Sequence, residues 1–365
     1  MEAKGLFNVA RKEFIDHLTS RKFIIILALF LIISAIAVHQ GIDDYNEMLE
    51  DYKEQMSQVK EVEGPVGWMP EKPSILLVFR RMSWQMTMLG GILAIAMGFD
   101  LVSKEKETKS LKSLLSCPVF RDEIINGKAL GGILALVFAI GIALIISFAM
   151  LLIFSIVPDL DEFTRITLFG VVSVLFLLSY FSIALMTSTV SRDSGRALIY
   201  ALIILFALSF FMPTFEGLVA ESVVGEPPEF PGVHRKSFRI VEAASASENE
   251  SEEIIPVKEI PMEEKEWERY EEESRAYWEK RGAIHDAISV VVPNDNFYAV
   301  TEATLNPHFK GLRYGVYYGP PPTSGEEKSL QEALEIVWKN ILALLIFPIV
   351  FFAIAYIRFM RMDIR

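Results

Sequence analysis

The residues of this chain that could do chemistry are few, and their spacing excludes the common reactions. Gly127-Lys128 resembles the end of a phosphate-binding loop, but that motif needs a glycine at position 122, which is Asp122 here. It also needs serine or threonine after the lysine, where the chain has Ala129. The five histidines have no zinc-ligand spacing, and no Gly-x-Ser-x-Gly motif is present. The sequence therefore predicts no catalytic site and no cofactor, so any ATP hydrolysis must occur on another polypeptide.

Apolar runs long enough to cross a bilayer dominate the rest of the chain. A membrane-spanning helix needs about 20 apolar residues, and six runs meet or approach that length. The predicted spans are residues 23–42, 74–99, 129–157, 166–190, 197–215 and 338–357. The third and fourth contain no charged side chain, which excludes ordinary soluble helices. The predicted fold class is therefore a mostly α-helical membrane protein with six transmembrane helices.

Basic residues set the predicted orientation, because short cytosolic loops are enriched in lysine and arginine. Residues 1–22, the loops 100–128 and 191–196, and the tail 358–365 are together basic, whereas the other side is acidic. Both termini are thus predicted to be cytosolic in a multi-pass protein of the plasma membrane. The net charge of −12 then belongs to the outer face and argues against a nucleic-acid partner. Cys117 is the only cysteine and permits no intrachain disulfide.

An amphipathic helix is predicted for residues 1–22, before the first span. Leu6, Ala10, Phe14 and Leu18 recur at helical spacing, while polar residues occupy the other side. The direct connection to the first span favours a helix lying in the membrane surface, in contact with lipid. The alternative is a helix that packs on protein.

Two segments are predicted to be extracellular. Residues 43–73 form a short acidic loop with a helical part near 43–60. Residues 216–335 are long enough for a small domain, predicted to be an α+β insertion between transmembrane helices 5 and 6. Within it, the glutamate-rich residues 262–286 predict a helix.

Polar side chains inside the spans are candidates for a translocation path. They are Gln85 and Thr87 in the second span and Ser179, Tyr180 and Ser182 in the fourth. The alternative is that they only form hydrogen bonds between helices. No ionisable side chain is predicted near the middle of a span, which argues against an ion channel or an ion-coupled carrier.

The cytosolic segment 100–128 carries the most specific pattern. Its charged side chains Glu105 and Glu107 are expected to be available to a partner, and Pro118 to end a short helix. Leu111, Leu114 and Leu115 fall on one side of that helix, and Arg121 could anchor a second turn against lipid headgroups or a partner. A loop between spans has no core of its own, so an apolar stripe there predicts partner binding. The alternative is a merely solvated, positively charged loop.

In several motifs the chain resembles the permeases of type-2 ABC transporters. Lys12-Glu13-Phe14 and Ser20-Arg21-Lys22-Phe23 are similar to the family's opening, and Ser289 to Pro307 to its surface helix between spans five and six. The middle motif is the most specific, with Glu105, Leu114-Leu115-Ser116, Pro118-Val119, Arg121 and Gly127-Lys128 in the family's order. Lys109-Ser110 departs from the family's Gly-Thr, which puts the local turn in doubt.

The resemblance implies a non-catalytic membrane subunit of an ATP-driven exporter. It implies two copies of a separate ATP-binding subunit, bound through residues 103–121, and a second permease copy or homologue. The path between the copies would be lined by spans two and five. The alternatives are a non-transporting membrane anchor or sensor, whose extracellular domain is the working part, and an ion channel. The substrate is open, since the family handles sodium, drugs, lipids and other cargo.

Overall fold

The computed structural model describes residues 3–61, 72–110, 120–228, 264–309 and 329–362, and these form helices without any strand. The helices, in chain order, are α1 (Ala3–Thr19), α2 (Arg21–Glu61), α3 (Leu77–Gly98), α4 (Ser103–Glu107), α5 (Arg121–Ile153), α6 (Leu160–Val190), α7 (Ser194–Phe206), a π-helical turn (Ala207–Phe211), α8 (Met212–Val224), α9 (Glu264–Ser289), α10 (Pro293–Leu305), α11 (Leu330–Ile336) and α12 (Trp338–Met360).

Six helical stretches are long and apolar enough to cross a membrane, which confirms the predicted number of spans. They are Arg21–Gln58, Leu77–Glu107, Arg121–Ile153, Leu160–Val190, Ser194–Val224 and Trp338–Met360. The first differs from its prediction, because α2 continues without a break from the span into residues 43–61. The chain is a multi-pass helical membrane protein.

The chain divides into two compact units. The larger one comprises Met1–Pro213, Ser289–Leu312 and Tyr317–Arg365. Its helices form a bundle, and we call the end that holds the start of α2 and the last turn of α12 the terminal end. The other end, where α10 lies, is the distal end.

The second unit contains Thr214–Ile288, and its described part consists of most of α8 and α9. A hydrogen-bond-length contact of 2.9 Å joins Glu216 Oε1 of α8 to His285 Nδ1 of α9. Within α9, Arg281 Nη1 donates to the hydroxyl of Tyr277 at 2.9 Å. These contacts connect the two helices and stabilise one turn of the longer one.

The predicted α+β insertion is not supported, because the described parts of residues 216–335 form helices only. The reason lies in the composition of α9. From Glu264 to Ala283 it contains no valine, isoleucine or threonine, and its only strand-favouring residues are the aromatic Trp267, Tyr270, Tyr277 and Trp278. Glutamate, lysine, arginine and alanine prevail, and all favour helix. Residues 229–263 and 310–328 of the insertion lie outside the described part of the chain.

Helix ends in the larger unit follow local sequence signals. Asp159 and Glu162 form a reciprocal capping box at the start of α6: Glu162 N donates to Asp159 Oδ1 at 2.8 Å, and Asp159 N donates to Glu162 Oε2 at 2.9 Å. Asp193 caps α7 by accepting from Arg196 N at 2.9 Å. Pro293 occupies the first turn of α10, where its missing N–H costs nothing.

The core of the bundle is centred on α6, which packs against α3, α10 and α12. Near the distal end its buried Phe176 stacks on Phe297 of α10 with ring centroids 4.5 Å apart. Phe169 also contacts Phe79 of α3 at 6.1 Å. By contrast, α7 buries only two of its residues, Ala197 and Ala201, and exposes an apolar surface. A helix with so little burial within one chain has its other faces free for lipid or for another chain.

A π-helical turn follows α7 for a reason visible in the sequence. Pro213 has no N–H, so the carbonyl of Ser209 loses the bond that a regular helix would give it. The chain accommodates the proline by widening one turn, in which Met212 N donates to Ala207 O across five residues. The turn places the hydroxyl of Ser209 3.2 Å from that of Tyr180.

Candidate functional site

The site lies at the terminal end and is centred on a buried lysine. Lys128, in the second turn of α5, is 1% exposed. Its Nζ lies 2.9 Å from Glu13 Oε1 of α1 and 2.7 Å from Glu105 Oε1 of α4. A charge this far from solvent is tolerated only when it is paired and hydrogen-bonded. We call these three residues the Lys128 cluster; they join three separate helices.

Close packing of α1 on α5 brings Glu13 to the lysine. Gly127 and Gly131 lie one turn apart on α5, at the contact with α1. A Cβ added at Gly127 would lie 2.7 Å from Val9 Cβ, and one at Gly131 would lie 2.7 Å from Glu13 Cβ. Small residues spaced in this way allow two helices to approach closely. The structure therefore packs α1 on protein along one side, while Phe7 and Ile15 on its other faces stay exposed.

The segment after α3 is also fixed to the end of α6. Lys106 Nζ donates to the carbonyl oxygens of Ser188, Thr189 and Ser191 at 3.2, 2.6 and 2.9 Å. The last carbonyls of a helix have no partner within it, so a cation there stabilises the helix end. The hydroxyl of Ser188 accepts in turn from the backbone N–H groups of Val102 and Ser103, both at 3.0 Å.

Three further contacts hold the same segment to its neighbours. Glu107 Oε2 accepts from Ser194 N at the start of α7, at 3.3 Å. Lys22 Nζ of α2 donates to Asp100 Oδ1 at 3.0 Å and lies 4.0 Å from the centroid of the Phe99 ring. These bonds attach the connection between α3 and α4 to α2 and to α7.

A cleft of about 240 Å³ lies beside the Lys128 cluster, lined by residues of α1, α2, α3, α4 and α5. His17 lines it, and burial lowers the pKa of that imidazole below its usual value, although the charge of Glu13 opposes the shift. The Nε2 atom of His17 and Oε2 of Glu105 are buried and have no hydrogen-bond partner among the described residues. Because burial lowers its pKa, the His17 ring is neutral at neutral pH.

The structure brings together only some of the residues predicted to contact an ATPase. Glu105 points inward to Lys128, and Glu107 binds a backbone N–H. Arg121 Nη1 donates to the carbonyl oxygens of Met360 and Met362, at 3.4 and 3.1 Å, next to the end of α12. The other predicted positions, Leu111, Leu114, Leu115 and Pro118, lie outside the described residues.

Lys109 occupies the position where the resemblance expects glycine, and its backbone is left-handed with φ of 58°. L-residues rarely visit this region, because Cβ crowds the following carbonyl, whereas glycine has no Cβ. The turn thus keeps the geometry that glycine would favour, although the side chain differs.

The polar residues inside the spans divide into two groups. The hydroxyls of Thr87, Ser179 and Ser182 donate to carbonyl oxygens of their own helices, at 3.1, 3.2 and 2.8 Å. The amide of Gln85 instead faces Ile33 O and Ser34 N of α2, each at 3.2 Å. The first three hydroxyls are thus hydrogen-bonded within their own helices, and Gln85 contributes to packing between α2 and α3.

Tyr180 makes contacts that extend beyond its own helix. Its hydroxyl donates to Asn294 Oδ1 of α10 at 2.6 Å and lies 3.2 Å from Ser209 Oγ of the π-helical turn. Asn294 Nδ2 donates to the same serine hydroxyl at 3.3 Å. Neither Ser209 nor Asn294 was predicted as a site residue. The signal that could have identified them is Pro213, which predicts a disturbed turn around Ser209.

Sequence reasoning also missed the pairing of Glu13 with Lys128. The available signal was the position of Glu13, three residues after Ala10 on the apolar side of α1. An acid on a buried face requires a cationic partner. The sequence does not say which lysine supplies it, because the two residues are 115 positions apart.

Comparison with protein families gives one match that spans nearly the whole chain. The family model described as "ABC-2 family transporter protein" covers residues 7–364. A search of curated proteins finds no match. Members of this family are membrane subunits that work with an ABC ATPase. The matched region includes most of α1, all six candidate spans and the Lys128 cluster, and the chain belongs to the ABC-2 transporter family.

Proposed function

We propose that this chain is the permease subunit of an ATP-driven exporter. Two copies form the translocation path, lined by α3 and α7, and each binds one copy of a separate ABC ATPase on the cytosolic side. The terminal end is the cytosolic end in this proposal, and the distal end and the second unit are extracellular.

The observation that carries the proposal is how firmly the segment after α3 is fixed at the terminal end. It binds α1 and α5 through Lys128, α6 through Lys106 and α7 through Glu107. A solvated loop would not need contacts to four helices. A segment that receives a force from an ATPase does need them, because each contact passes displacement to a different helix.

The apolar surface of α7 supports the dimer. Ile199, Ile203 and Phe206 are more than half exposed, although they belong to one of the six spans. A second copy of the chain would cover part of this surface and would complete a path between two bundles. Native mass measurement of the complex in nanodiscs should give two permease chains; one permease chain per complex would contradict the proposal.

Orientation can be tested by labelling in intact cells. In a Cys117→Ser background, Thr108→Cys is exposed at the terminal end and Leu160→Cys, 84% exposed in the parent, is at the distal end. A membrane-impermeant maleimide should label only Leu160→Cys. Labelling of Thr108→Cys alone would invert the proposed orientation.

Coupling to an ATPase is tested by Leu114→Asp/Leu115→Asp. We expect this variant to insert normally, because neither residue belongs to a span, and to lose co-purification of the ATPase or the response of its hydrolysis to added sodium, drug or lipid candidates. Burying a charge at a desolvated interface costs several kcal/mol. Leu160→Asp is the matched control, since it adds a carboxylate at the exposed start of α6. Unchanged coupling in the double variant would refute the assignment of residues 103–121.

A further inference from the structure

We propose that the Lys128 cluster locks α1, α4 and α5 into one rigid unit, so that a displacement of the segment after α3 moves all three helices together. Lys128 is then a positioning residue for coupling. The inference rests on the proposed function for its role in transport, but the rigid unit itself can be tested on the chain alone.

The first argument is the origin of the two carboxylates. Glu13 precedes the first candidate span, Glu105 lies at the end of the second, and Lys128 lies near the start of the third. The ion pairs of 2.9 and 2.7 Å therefore connect parts of the chain that the covalent backbone does not hold together. Within a single helix such a pair would stabilise one turn; across three helices it fixes their relative positions.

The second argument is burial. The side chain of Lys128 is 2% exposed, and those of Glu13 and Glu105 are 9% and 18% exposed. In a medium of low polarity, opposite charges attract strongly, and each costs much when it is left alone. If α4 moved without α5, Glu105 and Lys128 would separate, and the buried lysine would lose one of its two carboxylates. The helices therefore move together or lose a buried ion pair.

The third argument is that Glu105 has no competing partner. Its second oxygen, Oε2, is buried and accepts no hydrogen bond from the described residues. Of the other lysines lining the cleft, Lys22 binds Asp100, and Lys12 lies 3.4 Å from Asp16 and 3.7 Å from Glu13. Lys104 also lines the cleft but forms no ion pair with Glu105. Among the described residues, Lys128 is therefore the cation that pairs with Glu105.

The lock differs from the other contacts of the same segment. Lys106 binds neutral backbone carbonyls at the end of α6, so that contact does not depend on an opposite charge. The Lys128 cluster depends on charge of one sign meeting charge of the other. It should therefore tolerate a complete reversal of sign but not the loss of one partner.

The rigid unit is tested by double electron–electron resonance, which measures the distance between two spin labels, on the full chain in nanodiscs. Spin labels on Arg11→Cys of α1 and Thr108→Cys after α4, both exposed in the parent, report their separation in a Cys117→Ser background. We expect one narrow distance distribution. Glu105→Ala keeps the pair between Glu13 and Lys128, and should lose that narrow peak because α4 loses its ion pair to α5 and then follows only α6 and α7. Lys53→Ala, an exposed lysine of α2, is the control and should leave the peak unchanged.

The charge-reversed triple variant Glu13→Lys/Glu105→Lys/Lys128→Glu separates the lock from ordinary packing. We expect it to regain the narrow peak that Glu105→Ala loses. A narrow peak in Glu105→Ala would overturn the proposal, as would a folded triple variant with a broad distribution. Failure of the triple variant to fold while Glu105→Ala keeps its narrow peak would overturn it as well.

The role in coupling is read with the ATPase bound and trapped by ATP and vanadate. In the parent, the separation of Arg11→Cys and Thr108→Cys should not change, whereas that of Thr108→Cys and Leu160→Cys should shift. If neither distance responds, the proposed function fails and the rigid unit is still judged on the chain alone. If the first distance shifts in the parent, α1 and α4 move separately and the lock is refuted.

Discussion

The two ends of the bundle are held together by different chemistry. At the terminal end, a buried lysine binds two carboxylates from distant parts of the chain. At the distal end, Arg81 binds Asp44 at 2.7 Å and Arg80 binds Glu302 at 3.3 Å, but both arginine side chains are about half exposed. Arg165 of α6 is buried there too, but it pairs at 2.6 Å with Asp161 of its own helix, whose side chain is 62% exposed, and donates to Thr304 O of α10 at 3.3 Å. Other buried contacts there include stacked rings, such as Phe176 on Phe297, and amides and hydroxyls.

The difference shows at which end the arrangement of the helices depends on specific residue pairs. Exposed ion pairs contribute little, because water and salt screen them. Stacked rings tolerate small shifts, since their attraction varies smoothly with position. A buried ion pair is costly to break and gives the terminal end a defined arrangement. The end proposed to meet the ATPase is therefore also the one whose arrangement is most sharply specified.

The largest expected effect is at the terminal end. Lys128→Met leaves two carboxylates without their cation in a buried site and should destabilise the chain by about 3–5 kcal/mol. Thermal unfolding in detergent measures this as a lowered midpoint. Arg81→Met at the distal end is the control and should cost about 1 kcal/mol or less. Equal shifts in the two variants would remove the contrast between the ends.

The distal end should respond to loss of a ring instead. Phe297→Ala empties a site between Phe169 and Phe176 and should cost about 3–5 kcal/mol, with the lower value if the neighbours collapse into the space. The same unfolding assay measures it, and Tyr298→Ala, which removes a half-exposed ring from the same helix, should cost much less. If the two alanine variants unfold alike, the ring cluster does not hold this end.

Much of the fold could be predicted from sequence because the membrane imposes it. Six predominantly apolar runs of sufficient length allow few structures other than helices, and they were confirmed as six candidate spans. The prediction that the insertion between transmembrane helices 5 and 6 is α+β is not supported in the described residues, because its length alone was used to infer a small mixed domain. The glutamate-, lysine- and arginine-rich composition of α9 carried the better prediction of a helix.

The candidate site was only partly accessible to sequence reasoning. The motif from Glu105 to Gly127-Lys128 identified the right segment, since local order is visible in sequence. It predicted exposed charges, whereas Glu105 is directed inward to Lys128. Whether Glu105 points inward depends on how closely α1 approaches α5. That approach depends on contacts of Gly127 and Gly131 with residues of α1, which are more than 100 positions away in the sequence. The predicted role of Leu114 and Leu115 remains a prediction.

A smaller effect is expected for the hydrogen bonds among Tyr180, Asn294 and Ser209. Tyr180→Phe removes the hydroxyl that donates to Asn294 Oδ1 and should cost about 1–2 kcal/mol, since the amide oxygen loses its partner. The unfolding midpoint should fall accordingly. Tyr200→Phe, on the exposed side of α7, provides the comparison and should change it little. A neutral Tyr180→Phe would show that Asn294 keeps a full set of partners through Ser209.

The smallest effect should be a gain of stability. Lys109→Gly relieves the cost of a left-handed backbone and should stabilise the chain by up to about 1 kcal/mol. A raised unfolding midpoint would support this, and Ser110→Gly, which only loosens the chain next to it, should lower the midpoint slightly. If Lys109→Gly is destabilising, the lysine side chain contributes a contact that outweighs the backbone strain.

Because α2 is one continuous helix, it connects the terminal end of the bundle to the distal end and continues beyond Asp44. Its 41 residues correspond to about 60 Å of helix, twice the roughly 30 Å of a bilayer's hydrocarbon layer. One end of this rod is pinned by Lys22 to Asp100, and Asp44, just beyond its middle, is pinned to Arg81. About 26 Å of helix lies beyond Asp44, so a tilt of a few degrees about that contact would move the far tip of α2 by roughly 1–2 Å. Rearrangements at the terminal end are thereby carried, at about the same size, to the far tip of α2.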